Sequence, residues 1–415
     1  MTDRIRSTES DSANVSRPSR VGPPRGRGAI LFLCVVSVVA ILLNVYPAVR
    51  LLGSSVVMSS TASVLIGVAL GLVQVGLLVS GHARGHDLLG CIGDVWLGIV
   101  FQLFVWTAVG ELPRLGLWVG DVPGRGWIAS VAIMVWVILV LAYGLRRALG
   151  PVGVVNTEVH LPRLHSDLDG VRIVQITDTH LSRIIGRRWM ARIVQQVNAI
   201  DADIYCHTGD LADGSPRLRD EAVNEIGGVN ADHKYYITGN HEYFGDAMHW
   251  ANRMTDLGWH FMHNTHAVYQ RGGGTLIVAG IDDPTGSSSG LPGHGPDLGR
   301  ALEGAPADAA ILLLAHQPKQ ASQAAEYGVD LQLAGHTHGG QMWPFHYLVR
   351  ADQKYVSGLH QVSDRTQIYV SRGTGFWGPP FRILAPPEVA VLTLRATETR
   401  DFDGDRVTHD FEVQT

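Results

Sequence analysis

Val171 to His180 reads VRIVQITDTH. Its first seven residues are mostly β-branched and apolar without a polar alternation, the pattern of a strand covered on both faces. The run stops at Asp178, Thr179 and His180, so two chemically active side chains follow directly on the strand. The same arrangement returns along the chain. Asp203–Thr208 is followed by Gly209-Asp210-Leu211-Ala212-Asp213, and Lys234–Thr238 by Gly239-Asn240-His241-Glu242. Ala309–Ala315 is followed by His316, and Asp330–Ala334 by Gly335-His336-Thr337-His338. Thr275–Ile281, Thr366–Ser371 and Glu388–Leu394 read as further strands. Arg188–Ile200 carries Met190, Ile193, Val194, Val197 and Ile200 on one helical face. This part of the chain is expected to be an α/β or mixed sheet layered with helices.

Open sheets place their ligand sites outside the carboxyl ends of the strands. Five loops here deliver Asp, His and Asn side chains to one such rim. Carboxylate, imidazole and amide oxygen together suit Zn²⁺, Mn²⁺ or Fe. Two metals ~3.5–4 Å apart would need a bridging carboxylate and further ligands on each, and the inventory supplies them. An Asp-x-His or a lone His recurs by chance, but five such elements in order, each at a strand end, do not.

Upstream the texture is different. Gly28–Val49 runs 22 residues without a charge, Leu51–Ala83 33, Val95–Gly110 16 and Gly126–Leu145 20. A bilayer-spanning helix needs ~20 mostly apolar residues, so four spans are expected near 29–49, 59–80, 95–115 and 127–145. The third is the weakest, because its charge-free run is the shortest, bracketed by Asp94 and Glu111. A signal peptide has a shorter apolar core, ~7–15 residues, than the first run. With four spans, the arginines of the tail, Arg84, Arg146 and Arg147 fall on one side, nine in all, against Arg50, Arg114 and Arg125 on the other. That count places both termini, and the domain after Pro151, in the cytoplasm. The intramembrane residues show no buried ion pair of a transport path, so the spans read as an anchor. Gly67 and Gly71 form a Gly-x-x-x-Gly pair that would allow close helix packing; chance in a glycine-rich span is the plainer reading.

Of 415 residues only 17% are charged, against ~25% in an ordinary soluble protein, and the formal net charge is −5. That excludes a disordered or strongly basic nucleic-acid-binding chain. Three cysteines exclude a disulfide scaffold and a Cys-based structural zinc site. The expected organisation is a disordered basic tail over 1–28, a membrane domain over 29–149, a catalytic domain over 151–397 and a loose polar tail over 398–415.

The series DTH, GDLAD, GNHE, AH and GHTH resembles the calcineurin-like metallophosphoesterase superfamily, over roughly Val155 to Thr397. GHTHGGQ at 335–341 and GFWGPP at 375–380 resemble its membrane-associated bacterial subgroup and the transmembrane proteins with a metallophosphoesterase domain. The resemblance implies a two-sheet sandwich flanked by helices. It implies one metal on Asp178, His180, Asp210 and His338, and a second on Asp210, Asn240, His316 and His336, with Asp210 bridging. It implies that His241 faces the substrate phosphate and protonates the leaving oxygen, and that Asp213 stands behind a ligand and orients it. The expected reaction is attack on a phosphodiester or diphosphate by a hydroxide bridging two divalent ions (Mn²⁺, Fe or Zn²⁺).

The substrate stays open. Relatives of this kind act on phosphodiesters, nucleotides and UDP-diacylglucosamine diphosphate bonds, and a membrane anchor favours a lipid-linked phosphate. A phosphomonoesterase, a non-catalytic membrane sensor and a nuclease are the rival readings. No basic stripe with interleaved aromatics points to nucleic acid, and oligomeric state is not legible. Arg183, Arg187 and Arg188 would reach phosphate or simply start a solvated helix, the plainer reading. Asp282 and Asp283 read as a turn cap, and His294, His346 and His360 as exposed loop residues. Trp343, Phe376 and Trp377 would meet an apolar substrate or the membrane interface, or pack plainly.

Overall fold

A computed structural model describes residues 27–53 and 58–397. The polar stretch 398–415, and the basic tail apart from its last two residues, lie outside the described residues.

The described residues begin with helices α1 (Arg27–Ala48), α2 (Ser60–Leu78), α3 (Asp87–Val109), α4 (Glu111–Val119) and α5 (Arg125–Leu149). Among the described residues, four helical segments are long and apolar enough to cross a membrane: Leu33–Gly53, Ser60–Ala83, Asp87–Val119 and Arg125–Leu149. The third begins well before the expected residue 95. Asp87 and Asp94 break the charge-free run in the sequence, but both are paired: Asp87 with Arg219 and Asp94 with His82. The Gly67/Gly71 pair does pack. A Cβ on Gly67 would stand 2.6 Å from Val45 Cα, and one on Gly71 2.7 Å from Ile41 Cα, so α1 and α2 meet backbone to backbone.

Among the described residues after Pro151, twelve strands form two six-stranded sheets. They are β1 (Gly153–Leu161), β2 (Arg172–Ile176), β3 (Ile204–Thr208), β4 (Lys234–Ile237), β5 (His260–Phe261), β6 (Thr265–Arg271), β7 (Gly274–Gly280), β8 (Ala310–Leu314), β9 (Leu331–Ala334), β10 (Gly358–Gln361), β11 (Gln367–Val370) and β12 (Glu388–Ala396). One sheet runs β1-β12-β2-β3-β4-β5 and the other β10-β11-β9-β8-β7-β6. Within them β2-β3-β4-β5 and β7-β8-β9-β11 are parallel, so their carboxyl ends share one rim. All eight strands expected from the apolar runs are present.

Side chains alternate across a strand, and β2 shows what that does. Ile173 enters the core between the sheets with Ile204, Leu312, Leu331 and Leu392. Val174 and Ile176 face outward under α6 (Arg187–Asn198), α7 (Pro216–Val223) and α9 (Ala247–Asp256), among Met190, Ile193, Val223, Trp250 and Met254. Gln175 is wholly buried; its Nε2 donates to Thr208 Oγ1 at 2.8 Å and to the Ala334 carbonyl at 3.0 Å, tying the two sheets together just below the rim. Two short helices, α10 (Leu298–Ala301) and α11 (Ala321–Glu326), cover the second sheet through Leu298, Ala301 and Ala324.

The helical part is more than a tether. Ala148 belongs to the core under α6, and Met342, Phe381 and Ile383 pack with Val95, Phe101, Val140 and Leu141. The Arg382 amide donates to the Gly144 carbonyl at 3.0 Å.

Candidate metal centre

The rim loops are held in conformations that few residues adopt. Asp178, His180, Asp210, His336 and His338 all have positive φ, between 40° and 68°. A left-handed non-glycine residue costs of order 1–3 kcal/mol and persists only where its surroundings impose it. Here the turns aim each side chain back over the strand it follows. The glycines before them make the close approach possible. A Cβ on Gly335 would lie 2.1 Å from Asp178 Oδ2, and one on Gly239 2.2 Å from Asp210 Oδ1.

Three groups of donors converge as a result: Asp178, His180 and His338; Asp210, His316 and His336; and His180, Asp213 and His241, each with ligand atoms within 4.8 Å of one another. His180 Nε2 lies 3.5 Å from Asp210 Oδ2, His338 Nε2 3.5 Å from Asp178 Oδ1, and His316 Nε2 3.2 Å from Asp210 Oδ2. His180 and His338 face each other Nε2 to Nε2 at 3.0 Å. Asp210, reached from both sides, is the carboxylate shared by the two sets. Six of the seven expected ligands are thus gathered at one rim, and Asn240 adjoins them in sequence, next to His241, whose backbone N–H donates to Asp210 Oδ1.

The polar bookkeeping fits cations. His316 Nδ1 donates to the Thr208 carbonyl at 2.7 Å, which leaves Nε2 as a bare, buried lone pair with no hydrogen bond. Asn240 Oδ1 is likewise buried without a partner. An unpaired buried acceptor costs roughly 1–3 kcal/mol, and a divalent ion would satisfy both at once. Burial and neighbouring His316 hold His336 down at about 3, and burial with the Arg382 guanidinium holds His338 well below the usual imidazole range. Neutral imidazole is the form that ligates. Burial opposes charge on His316 as well, but Asp210 and Asp178 outweigh it and raise its affinity for a proton, a place for positive charge.

His241 shares a donor cluster with His180 and Asp213. Its backbone N–H donates to Asp210 Oδ1 at 2.9 Å and its Nδ1 to Asp213 Oδ1 at 2.7 Å. Burial works against its charge, yet Asp210 and Asp213 prevail and hold it up at about 9. Asp213 Oδ1 also takes His180 Nδ1 at 2.9 Å, so one carboxylate orients both rings. Burial would raise Asp213, but His180 and His241 outweigh it and keep it ionised.

Two supporting residues escaped the sequence reading. Glu242 is wholly buried and accepts from the backbone N–H of Gly239, Asp210 and Leu211 at 2.6, 3.0 and 2.8 Å. Burial and Asp210 raise it to about 7. Its adjacency to Asn240 and His241 was the available signal. Arg382 is also wholly buried, and burial lowers it to about 9. It donates to His338 Nδ1 at 3.0 Å and to the carbonyls of His338 and Arg372 at 2.8 Å. Nothing in its sequence setting, GPPFRILAPP, marks it.

Other expectations resolve as follows. Arg187 starts α6 and pairs with Glu221 and Glu225, and Arg183 lies 3.8 Å from Asp87 of α3. Asp283 caps a turn by accepting from Thr285 N–H at 2.8 Å, but Asp282 points elsewhere, between His263 and His294. The expectation of exposed loop histidines is corrected: His294, His346 and His360 are all partly buried, and His346 starts a helix and His360 lies in β10. Phe376 is core, whereas Trp377 is 47% exposed and its ring centroid lies 6.1 Å from that of His241.

The model of the calcineurin-like phosphoesterase family matches residues 171–340, the span from β2 through the last two expected metal-binding histidines. A "Transmembrane protein with metallophosphoesterase domain" from Danio rerio is 34% identical over 316 residues, covering 74% of this chain and 72% of that protein. The Bos taurus protein of the same name is 33% identical over 309 residues, 71% of this chain and 68% of that protein. An "Uncharacterized metallophosphoesterase" from Campylobacter jejuni is 33% identical over 270 residues, 65% and 70% of the two chains. This chain belongs to the calcineurin-like phosphoesterase family. It is a hydrolase acting on phosphoester bonds, of a class that works with divalent metal ions, and its long apolar helices associate it with a membrane.

Proposed function

We propose that the chain is a multi-pass membrane phosphoesterase that hydrolyses a phosphodiester or diphosphate bond in a lipid-linked substrate, with its catalytic domain on the cytoplasmic face. Asp178, His180, Asp210 and His338 would hold one divalent ion, and Asp210, Asn240, His316 and His336 the other; Mn²⁺, Fe and Zn²⁺ all suit this donor set. Two such ions offset the charge of the phosphate and make a nucleophile available near neutral pH.

The chain's own residues do the rest. The hydrogen bonds from His241 Nδ1 to Asp213 and from its amide to Asp210 fix the ring and leave Nε2 for the substrate. From there His241 would give a proton to the departing oxygen, a general-acid role. Asp213 positions that ring and the ring of His180. Glu242, by gathering three backbone N–H groups, holds the Gly209–Leu211 and Gly239–Asn240 turns in register.

The observation that carries the lipid-linked reading is the contact between the rim and the membrane helices. Gln341 Nε2 donates to the carbonyls of Trp377 and Pro379, at 2.7 and 3.0 Å, and Trp377 flanks His241. A Cβ on Gly98 of α3 would meet Phe381 at 2.6 Å and Pro379 at 2.9 Å. The loop beside the proposed acid is therefore the loop that leans on the membrane helices. Trp377 and Phe244, both exposed, offer apolar surface there. A substrate drawn from the bilayer would present its phosphate to such a rim.

The test uses the full chain in lipid nanodiscs with added Mn²⁺. Aryl phosphodiester is expected to be cleaved faster than aryl phosphomonoester, and long-chain diacyl substrates at higher kcat/KM than short-chain ones with the same headgroup. A preference for the monoester overturns the diesterase reading. Indifference to chain length overturns the lipid-linked one.

A further inference from the structure

A second cluster of metal-ligating side chains lies away from the rim. His263 comes from the turn between β5 and β6, Asp282 from the end of β7, and His294 from the glycine- and serine-rich loop 284–297. Three successive segments thus bring one donor each to one place, with all ligand atoms within 4.8 Å. His263 Nδ1 is 2.9 Å from Asp282 Oδ1 and His294 Nδ1 is 3.5 Å from Asp282 Oδ2. The two imidazoles lie side by side, centroids 4.6 Å apart and planes 37° apart, so both turn the same edge toward the carboxylate. The Tyr243 hydroxyl closes another side, 2.9 Å from His294 Nδ1.

The longer of those separations falls in the range of the dinuclear set, where donors stand 3.0 to 3.5 Å apart, and the shorter is a hydrogen-bond distance. Tetrahedral zinc with bonds of ~2.0–2.1 Å puts its ligand atoms about 3.3 Å from one another. The surroundings are prepared for charge. Asp282 is wholly buried, and the side chains of His263 and His294 are 27% and 8% exposed. Backbone braces hold the donors: Gly295 N–H donates to Asp282 Oδ2 at 3.1 Å, and Asn264 Nδ2 donates to the Gly295 carbonyl at 2.8 Å. Loop 284–297 has few apolar anchors of its own, so a bond to His294 would supply what its composition lacks.

We propose that His263, Asp282 and His294 form a separate mononuclear Zn²⁺ site, with the Tyr243 hydroxyl beside its fourth position. The ion staples loop 284–297 to the β5–β6 turn. Through Tyr243 it steadies α8 (Asn240–Phe244), the short helix that begins with Asn240 and His241. This site does not depend on the substrate reading above.

The test counts zinc by elemental analysis on the full chain in detergent, after equilibration with Zn²⁺ and removal of the excess. Wild type is expected to hold one more ion per chain than His294→Asn or the His263→Ala/His294→Ala pair. Asn keeps a hydrogen-bonding group near the position of Nδ1 but is a poor zinc ligand. His294→Cys is expected to keep the ion, because thiolate binds zinc although it cannot reproduce the hydrogen bond. Should the double variant fail to fold, the Asn and Cys variants decide the matter. In an Asp210→Asn background, which weakens the dinuclear set, the extra ion should persist and should vanish when His294→Asn is added. Equal zinc in wild type and His294→Asn overturns the site, as does loss of the ion in His294→Cys. Neither result touches the dinuclear centre, whose ions are counted separately through Asp210.

Discussion

Gln102 Nε2, in the interior of helix α3, donates to the backbone carbonyl of Trp343 at 3.0 Å. Gln102 lies fifteen residues beyond Asp87, about 22 Å along the helix axis at 1.5 Å per residue. The loop that follows the GHTH residues therefore reaches deep along a helix with the length and composition of a membrane span. The Trp343 ring continues the contact, 5.4 Å from the Trp106 centroid, and Phe345 stands edge-on to Phe101 at 6.2 Å. Catalytic loops and membrane helices share one packed interface.

Removing residues 1–151 should expose Met342, Trp343, Phe381 and Ile383 together and leave the Arg382 amide without its Gly144 acceptor. A chain starting at Val152 is expected to aggregate without detergent and to elute as a monomer only with it. Size-exclusion chromatography with light scattering checks this. A monodisperse monomer in plain buffer, with the melting temperature of the full chain, would show that the interface contributes little to folding.

Glu242→Ala should be among the most damaging single changes. It strands three backbone donors in a buried turn, and each unsatisfied group costs roughly 1–3 kcal/mol. Relaxation and water will recover part of that, so a loss of about 3–5 kcal/mol is expected in denaturant unfolding of the metal-free protein. Glu242→Gln keeps one acceptor oxygen and should lose about half as much. Equal stability of wild type and Glu242→Ala would mean that the turns hold their shape without the carboxylate.

The sequence made some of this legible and hid the rest for physical reasons. Asp178, Asp210, Asn240, His316, His336 and His338 could be found because each directly follows an apolar strand, and a parallel sheet sends such residues to one rim. β1 was missed because it is an edge strand whose Val155, Thr157, Val159 and Leu161 alternate with Asn156, Glu158 and His160 and so form no continuous apolar run. β5 spans only two residues. The early start of α3 was hidden by Asp87 and Asp94, whose partners Arg219 and His82 are distant in sequence. Arg382 and His294 read as ordinary loop residues, since burial by other segments is a tertiary event that local composition does not record.

The orientation of the helices rests on nine arginines against three. The minority is further weakened as a topological signal. Arg50 pairs with Glu111, and Arg114 is buried, donating to the Arg50 carbonyl and Ser130 Oγ at 2.8 and 2.9 Å. A cytoplasm-dependent reporter fused after Thr415 is expected to be active and an exterior-dependent one silent. The reverse result places the catalytic domain outside and means either an inverted four-span orientation or an odd number of spans.

The strongest separation available is between holding metal and doing chemistry. Asp210 is shared by both expected ligand sets, so Asp210→Ala should weaken both ions and abolish turnover. His241 is not among the expected ligands, and its Nδ1 is committed to Asp213 and its amide to Asp210. His241→Ala should therefore leave the ions of the dinuclear centre in place. Its rate should still fall by about two to four orders of magnitude, the usual size of a lost general acid. The loss should shrink for a nitrophenolate leaving group, which departs without a proton, and grow for an alkoxide. Asp213→Asn should fall between, because it loosens the ring of His241 without removing it, and it should also weaken the ion on His180. Elemental analysis beside turnover on a good and a poor leaving group measures all of these at once. If His241→Ala loses an ion, the residue is a ligand and the proton must come from elsewhere. If it loses neither ion nor rate, Asp213 serves only to accept from and orient His180.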